Sequence, residues 1–114
     1  MFSPKLWKQD TLGKYGYKYN IVTHTQIIYD LYGKTIEEVE KYLGLPDYFC
    51  MKEPCEECMA YLYHYEFYSD NLPRGYVYVP KQNCKKYIDT GSAFIVVFSV
   101  ETKRVTSVQV TIKN

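Results

Sequence analysis

The chain predicts an α+β fold, with two N-terminal helices packed on one face of a three- to four-stranded antiparallel sheet. Three observations carry this. Helical periodicity is confined to the first 43 residues, and apolar alternation with period two fills much of the second half. A four-residue loop, ETKR, then joins the last two alternating segments. Helices first and strands afterwards is the order of an α+β domain rather than of repeating βαβ units.

Residues 19–32 place Ile21, Thr25, Ile28 and Tyr32 on one stripe, with Val22, Tyr29 and Leu31 beside it, which predicts a helix of about three turns. Gly33 follows as the left-handed residue that ends it. Thr35-Ile36-Glu37-Glu38 reads as a capping box opening a helix over Ile36–Leu43, with Ile36, Val39 and Leu43 as its core stripe. Gly44 stops that helix, Leu45 is placed to close a hydrophobic contact over its end, and Pro46 forbids continuation. Periodicity then lapses until Met59.

Residues 60–68 alternate, with Tyr61, Tyr63, Tyr65 and Phe67 on one face and Leu62, His64, Glu66 and Tyr68 on the other. This predicts a half-buried antiparallel strand. SDNLPRG is turn chemistry, and residues 75–80 read as a short second strand closed by Pro80. Residues 93–100 direct Phe94, Val96, Phe98 and Val100 inward, and residues 105–112 do the same with Val108, Val110 and Ile112.

At 114 residues the chain is one domain, 1–114, with an insertion-like loop at 69–91. A formal charge of +1 gives no global field toward nucleic acid or anionic membrane, and 46 % hydrophobic residues are enough for a packed core. No apolar run reaches the roughly 20 residues of a membrane-spanning helix. The opening MFSPKLWKQD has no h-region, so the chain reads as cytoplasmic as written, and as periplasmic or outer-membrane-associated if a leader has been removed. Fourteen tyrosines against one Trp and five Phe suggest a half-wet sheet or a surface built to bind. Residues 35–58 form an acidic block whose default reading is a solvated helix face.

Cys50, Cys55, Cys58 and Cys84 are all the thiols, and three of them fall within nine residues. The C-x-x-C at 55–58 matches half of a structural zinc site. A hairpin between residues 61–68 and 76–79 would bring Cys84 level with Tyr61, near Cys58. The readings are free thiols in a reducing cytosol, two disulfides in any of three connectivities, a zinc site, and a redox C-x-x-C. Glu56 and Glu57 between the thiols, and a following strand rather than a helix, disfavour the last.

No catalytic constellation is visible. Neither His24 nor His64 has a nucleophile placed beside it by the pattern, and Glu37, Glu38 and Glu40 are helix-face residues. There is no phosphate-cradling loop and no HExxH. The tyrosine strand lacks the interleaved Lys and Arg of single-strand nucleic-acid binders, whereas a tyrosine-rich face suits a protein partner.

Gly33-Lys34-Thr35-Ile36-Glu37-Glu38-Val39, followed by Leu43-Gly44-Leu45-Pro46-Asp47, resembles the signature of the SmpA/OmlA (BamE-like) small lipoprotein domain. The aromatic strand, and Phe98 and Val105 flanking a short turn, follow that family's order, and Leu6-Trp7-Lys8-Gln9-Asp10 with Gly13 is similar to openings of small bacterial relatives. The resemblance implies two helices on one face of a three-stranded antiparallel sheet, the β-lactamase-inhibitor-like scaffold. It also implies a non-catalytic bacterial module that binds proteins and lipid beneath the outer membrane. The chain departs from the pattern in its thiol-bearing loop, in residues 69–91, and in having no lipobox cysteine at its start.

The expectation is therefore a monomeric, non-enzymatic protein-binding module without a cofactor. Tyr68, Tyr76, Tyr78 and His64 are its candidate contact residues, and Cys50, Cys55, Cys58 and Cys84 a candidate metal or disulfide set. An immunity or inhibitor protein that plugs an enzyme or toxin is the first rival, and a thiol-based zinc or redox protein the second. If Tyr61, Tyr63, Tyr65 and Phe67 pack beneath the helices, Leu62, His64 and Tyr68 face outward instead.

Overall fold

The computed structural model describes residues 2–10, 15–22, 30–65 and 93–111. Within them lie α1 (Pro4–Gln9), α2 (Tyr17–Val22), α3 (Ile36–Leu43), β1 (Tyr48–Met51), β2 (Cys58–His64), β3 (Ala93–Ser99) and β4 (Val105–Thr111). The strands form an open antiparallel sheet in the order β1-β2-β3-β4, so the α+β expectation holds with a four-stranded sheet.

Helix α1 was not foreseen, although its start is written in the sequence. The Ser3 hydroxyl accepts the Leu6 N–H at 3.3 Å, and Pro4 occupies the first turn, where its missing N–H costs nothing. Of the helix expected over 19–32, residues 17–22 and 30–31 are helical and 23–29 lie outside the described residues. Of the expected stripe, Ile21 packs against the core, Tyr32 is 48 % exposed rather than buried, and Thr25 and Ile28 lie outside the described residues; Val22 and Leu31, placed beside the stripe, are buried. Gly33 has φ +79°, as a left-handed terminator requires.

Helix α3 forms as the capping box dictates. The Glu38 N–H donates to Thr35 Oγ1 at 3.2 Å, and the Thr35 N–H donates to Glu38 Oε1 at 3.1 Å. Those bonds favour the ionised Glu38 carboxylate and hold it below its usual range. Leu45, expected to close a hydrophobic contact over the helix end, is 66 % exposed. The termination rests on the Gly44 N–H donating to the Glu40 carbonyl at 2.8 Å, with Gly44 at φ +78°.

The main core lies between the helices and one face of the sheet. Trp7, Val22, Leu31, Val39 and Leu43 meet Met59, Tyr61, Tyr63, Phe94, Val96 and Phe98. The register aligns them, with Met59 opposite Phe98, Tyr61 opposite Val96 and Tyr63 opposite Phe94. The tyrosine row of β2 is thus core, and two of its hydroxyls fasten α3 to the sheet. Tyr61 Oη donates to Glu40 Oε1 at 2.6 Å, and Tyr63 Oη donates to the Gly44 carbonyl at 2.9 Å.

The opposite face is not the solvent face that simple alternation implies. Cys50, Ala60, Leu62, Ala93, Ile95 and Val97 form a second buried cluster, and Leu62 is fully buried rather than outward. The uninterrupted apolar run of residues 93–98 is the mark of a strand covered on both sides. Val100, expected inward, lies beyond the end of β3 in a turn and is 38 % exposed. The expected strand at 75–80, the loop at 69–91, Phe67 and Ile112 lie outside the described residues.

Candidate functional site

Strand β1 occupies one edge of β2 and β3 the other, so Tyr61 pairs with Phe49 and with Val96. Both ladder positions beside Tyr61 are thus filled by described strands, and the expected hairpin over residues 61–79 falls largely outside the described residues. Cys84 itself, with Tyr68, Tyr76 and Tyr78, lies outside the described residues. His64 ends β2 half-buried. Its N–H donates to Asp47 Oδ2, and its ring stands 5.4 Å from that of Tyr48. It serves the strand end and, through Asp47, touches the buried charge cluster described below.

Cys50, Cys55 and Cys58 belong to one hairpin. Cys50 lies in β1 opposite Ala60, is 1 % exposed, and is disulfide-bonded to a residue beyond the described set. Cys55 and Cys58 are joined to each other, with Cα atoms 5.0 Å apart, across the loop between β1 and β2. The Lys52 N–H donates to the Cys58 carbonyl at 2.9 Å, and the Cys58 N–H to the Cys55 carbonyl at 3.1 Å. The Val100 N–H donates to the Glu57 carbonyl at 2.9 Å, which ties this loop to the β3–β4 turn. Lys52, Pro54, Cys55, Glu56 and Glu57 are exposed, and Cys58 is half-buried. Closing so short a loop adds only about 2 kcal/mol by chain entropy. In the oxidised state neither sulfur is a thiolate.

A second constellation was missed by the sequence reading. Asp10, Lys18 and Asp47 are all buried, at 1 %, 5 % and 6 % exposure, where α1, α2 and the α3–β1 turn converge. Asp10 ends α1 and accepts the N–H groups of Tyr15 (Oδ1) and Lys18 (Oδ2, 2.7 Å), so one carboxylate stitches α1 to the start of α2. The Lys18 ammonium sits 5.2 Å from the centroid of the Trp7 ring. Burial pulls the Lys18 pKa down, while the Asp47 and Asp10 charges oppose that shift. Nothing in the spacing of these three residues signals their meeting, because it depends on the turn after Pro46 folding back onto α1 and α2.

Beside Asp10 a cleft of about 240 Å³ opens on the surface, lined by Leu6, Gln9, Asp10, Tyr15 and Tyr17. Leu6 is 48 % exposed and Tyr15 74 %, which makes an apolar rim. Tyr17 is fixed by its hydroxyl, which accepts the Ser3 N–H at 2.7 Å. This arrangement suits a protruding apolar side chain. Among the described residues, no group of three or more His, Cys, Asp or Glu side chains is placed to hold a metal. No helix of the described residues is long and apolar enough to cross a membrane. No family model matches the chain, and no curated protein or solved structure gives a significant match.

Proposed function

We propose that this chain is a non-catalytic protein-binding module of the SmpA/OmlA (BamE-like) type, working in a disulfide-permissive compartment. The observation that carries the binding role is the cleft between α1 and α2, where Leu6 and Tyr15 remain exposed while the β2 tyrosines are consumed by the core. Tyr brings large contact area at low entropic cost, and an aliphatic or aromatic anchor entering a small pocket is the usual centre of binding energy. The kinship draws support from the capping-box helix and its Gly44–Pro46 exit lying against an antiparallel sheet. The compartment draws support from the disulfides at Cys50 and at Cys55–Cys58, since such bonds persist mainly in oxidising surroundings.

A photocrosslinking amino acid in place of Tyr15, introduced in cells that produce the protein natively, tests the role. It is expected to trap one protein. That partner, once purified, is expected to bind the Leu6→Asp variant at least about tenfold more weakly than the wild-type chain, with the variant's circular dichroism unchanged. Unchanged affinity, or trapping only from positions remote from the cleft, would overturn the assignment. Nanomolar binding that silences an enzyme would instead identify the module as an inhibitor or immunity protein.

A further inference from the structure

We propose that the Cys55–Cys58 disulfide is a thiol–disulfide exchange site, opened and reclosed in the native protein by an external dithiol while the Cys50 disulfide stays shut. Exchange requires a thiolate to approach a sulfur in line with the bond, so access decides which disulfide reacts. Cys55 and Cys50 differ sharply in exposure. Cys55 is exposed at the tip of the β1–β2 loop, with Pro54, Glu56 and Glu57 around it also exposed. Cys50 is 1 % exposed, in the buried cluster on the sheet face away from the helices.

Opening the tip leaves the fold in place. The loop is held by the Lys52–Cys58, Cys58–Cys55 and Glu57–Val100 backbone hydrogen bonds, none of which uses sulfur. The strands on either side remain in register from Met51 opposite Met59 onward. Cys55 belongs to neither core cluster, and half-buried Cys58 lies only at the margin of the second.

The chemistry balances with a dithiol reductant. Its first thiolate attacks Sγ of Cys55, the more exposed partner, forming a mixed disulfide and expelling the Cys58 thiolate, which takes up a proton. The reductant's second thiolate then attacks its own sulfur in that mixed disulfide and releases Cys55, which is also protonated. Two electrons pass to the protein, and the reductant leaves as a disulfide. The reverse sequence, with an oxidised dithiol as electron acceptor, recloses the clip.

The loop also selects its reductant. Glu53, Glu56 and Glu57 bring negative charge to the loop that carries the disulfide, against Lys52 in the same loop. Glutathione adds the charge of its own carboxylates to that of its thiolate, so it is repelled more strongly than a dithiol that is otherwise uncharged. Salt weakens this discrimination, because the charges are exposed.

The test treats the native, oxidised protein with dithiothreitol without denaturant, alkylates at intervals and maps the labelled peptides. Cys55 and Cys58 are expected to label together, at least about tenfold faster than Cys50, with circular dichroism unchanged. The Glu56→Gln/Glu57→Gln variant is expected to react severalfold faster with glutathione at low salt, and little faster with dithiothreitol. Labelling of Cys50 in step with Cys55 and Cys58, or labelling only as the spectrum collapses, would overturn the proposal by showing that the clip opens only through unfolding. A Cys55→Ser/Cys58→Ser variant provides the control, and it is expected to fold with an unaltered spectrum. Failure of that variant to fold would contradict a clip that opens in the native state.

Discussion

Trp7→Ala is expected to lower the unfolding free energy by about 3–5 kcal/mol, the range for emptying a fully buried Trp site. Against a total of roughly 5–15 kcal/mol for a domain of this size, that is enough to leave a large unfolded fraction at 37 °C. The indole is wholly buried and touches three rings edge-on, with centroids 5.9 Å from Phe2, 6.0 Å from Tyr63 and 5.6 Å from Phe94. It is the contribution of α1 to the main core, so the cavity would open between that helix and the sheet. Trp7→Phe should cost much less, because among the described residues the indole Nε1 has no hydrogen-bond partner to lose. Urea titration followed by far-ultraviolet circular dichroism checks both. A loss under 1 kcal/mol for the Ala variant would mean that α1 is not docked.

The buried charge cluster yields the second large effect. Asp10→Ala is expected to destabilise by about 3 kcal/mol, since it strands the Tyr15 and Lys18 N–H groups and leaves the Lys18 ammonium facing Asp47 alone. Lys18→Met should cost less. The two backbone bonds to Asp10 survive, and the desolvation that already lowers the Lys18 pKa is relieved. The double variant should be sub-additive by at least about 1 kcal/mol, because the two side chains share one network. Denaturant midpoints for the four proteins of this cycle measure the coupling. Strict additivity would mean that the two side chains do not act on each other.

Local signals made the centre of the fold legible and left its margins dark. The Thr35 capping box, the Gly44 stop and the alternation around Tyr61 and Phe94 each rest on neighbours in sequence, and all survive in the structure. Helix α1 carried its own signature in Ser3-Pro4 but spans six residues, too few for periodicity to register. Strand β1 has four residues and owes its existence to pairing with β2, a long-range fact. The sheet's second face was misread because alternation was taken to mean one wet side, whereas Leu62 and Ile95 are paired and buried together. The site divides in the same way. The spacing of Cys55 and Cys58 marked them as a pair, but oxidation was only one of several readings of it. The cleft and the Asp10–Lys18–Asp47 cluster were invisible, because both are made by helices and turns meeting in space.

The β2 tyrosines lie under the helices rather than on display, and their ionisation reports this most directly. Burial first, then the hydrogen bond to Glu40, raises the Tyr61 pKa above the ordinary 10.0. Burial, followed by the nearby Tyr61, Asp47 and Glu40, raises that of Tyr63. A phenol whose folded-state pKa is raised contributes stability that is complete below pH 10.0 and is lost as the pH climbs toward the folded-state value. Tyrosine ring-carbon NMR shifts followed through alkaline pH, with Tyr61→Phe and Tyr63→Phe variants for assignment, give the measurement. The packing predicts that both rings stay neutral until the sheet itself unfolds. Ionisation of either near pH 10.0 in the folded protein would place the tyrosine row in water and contradict it.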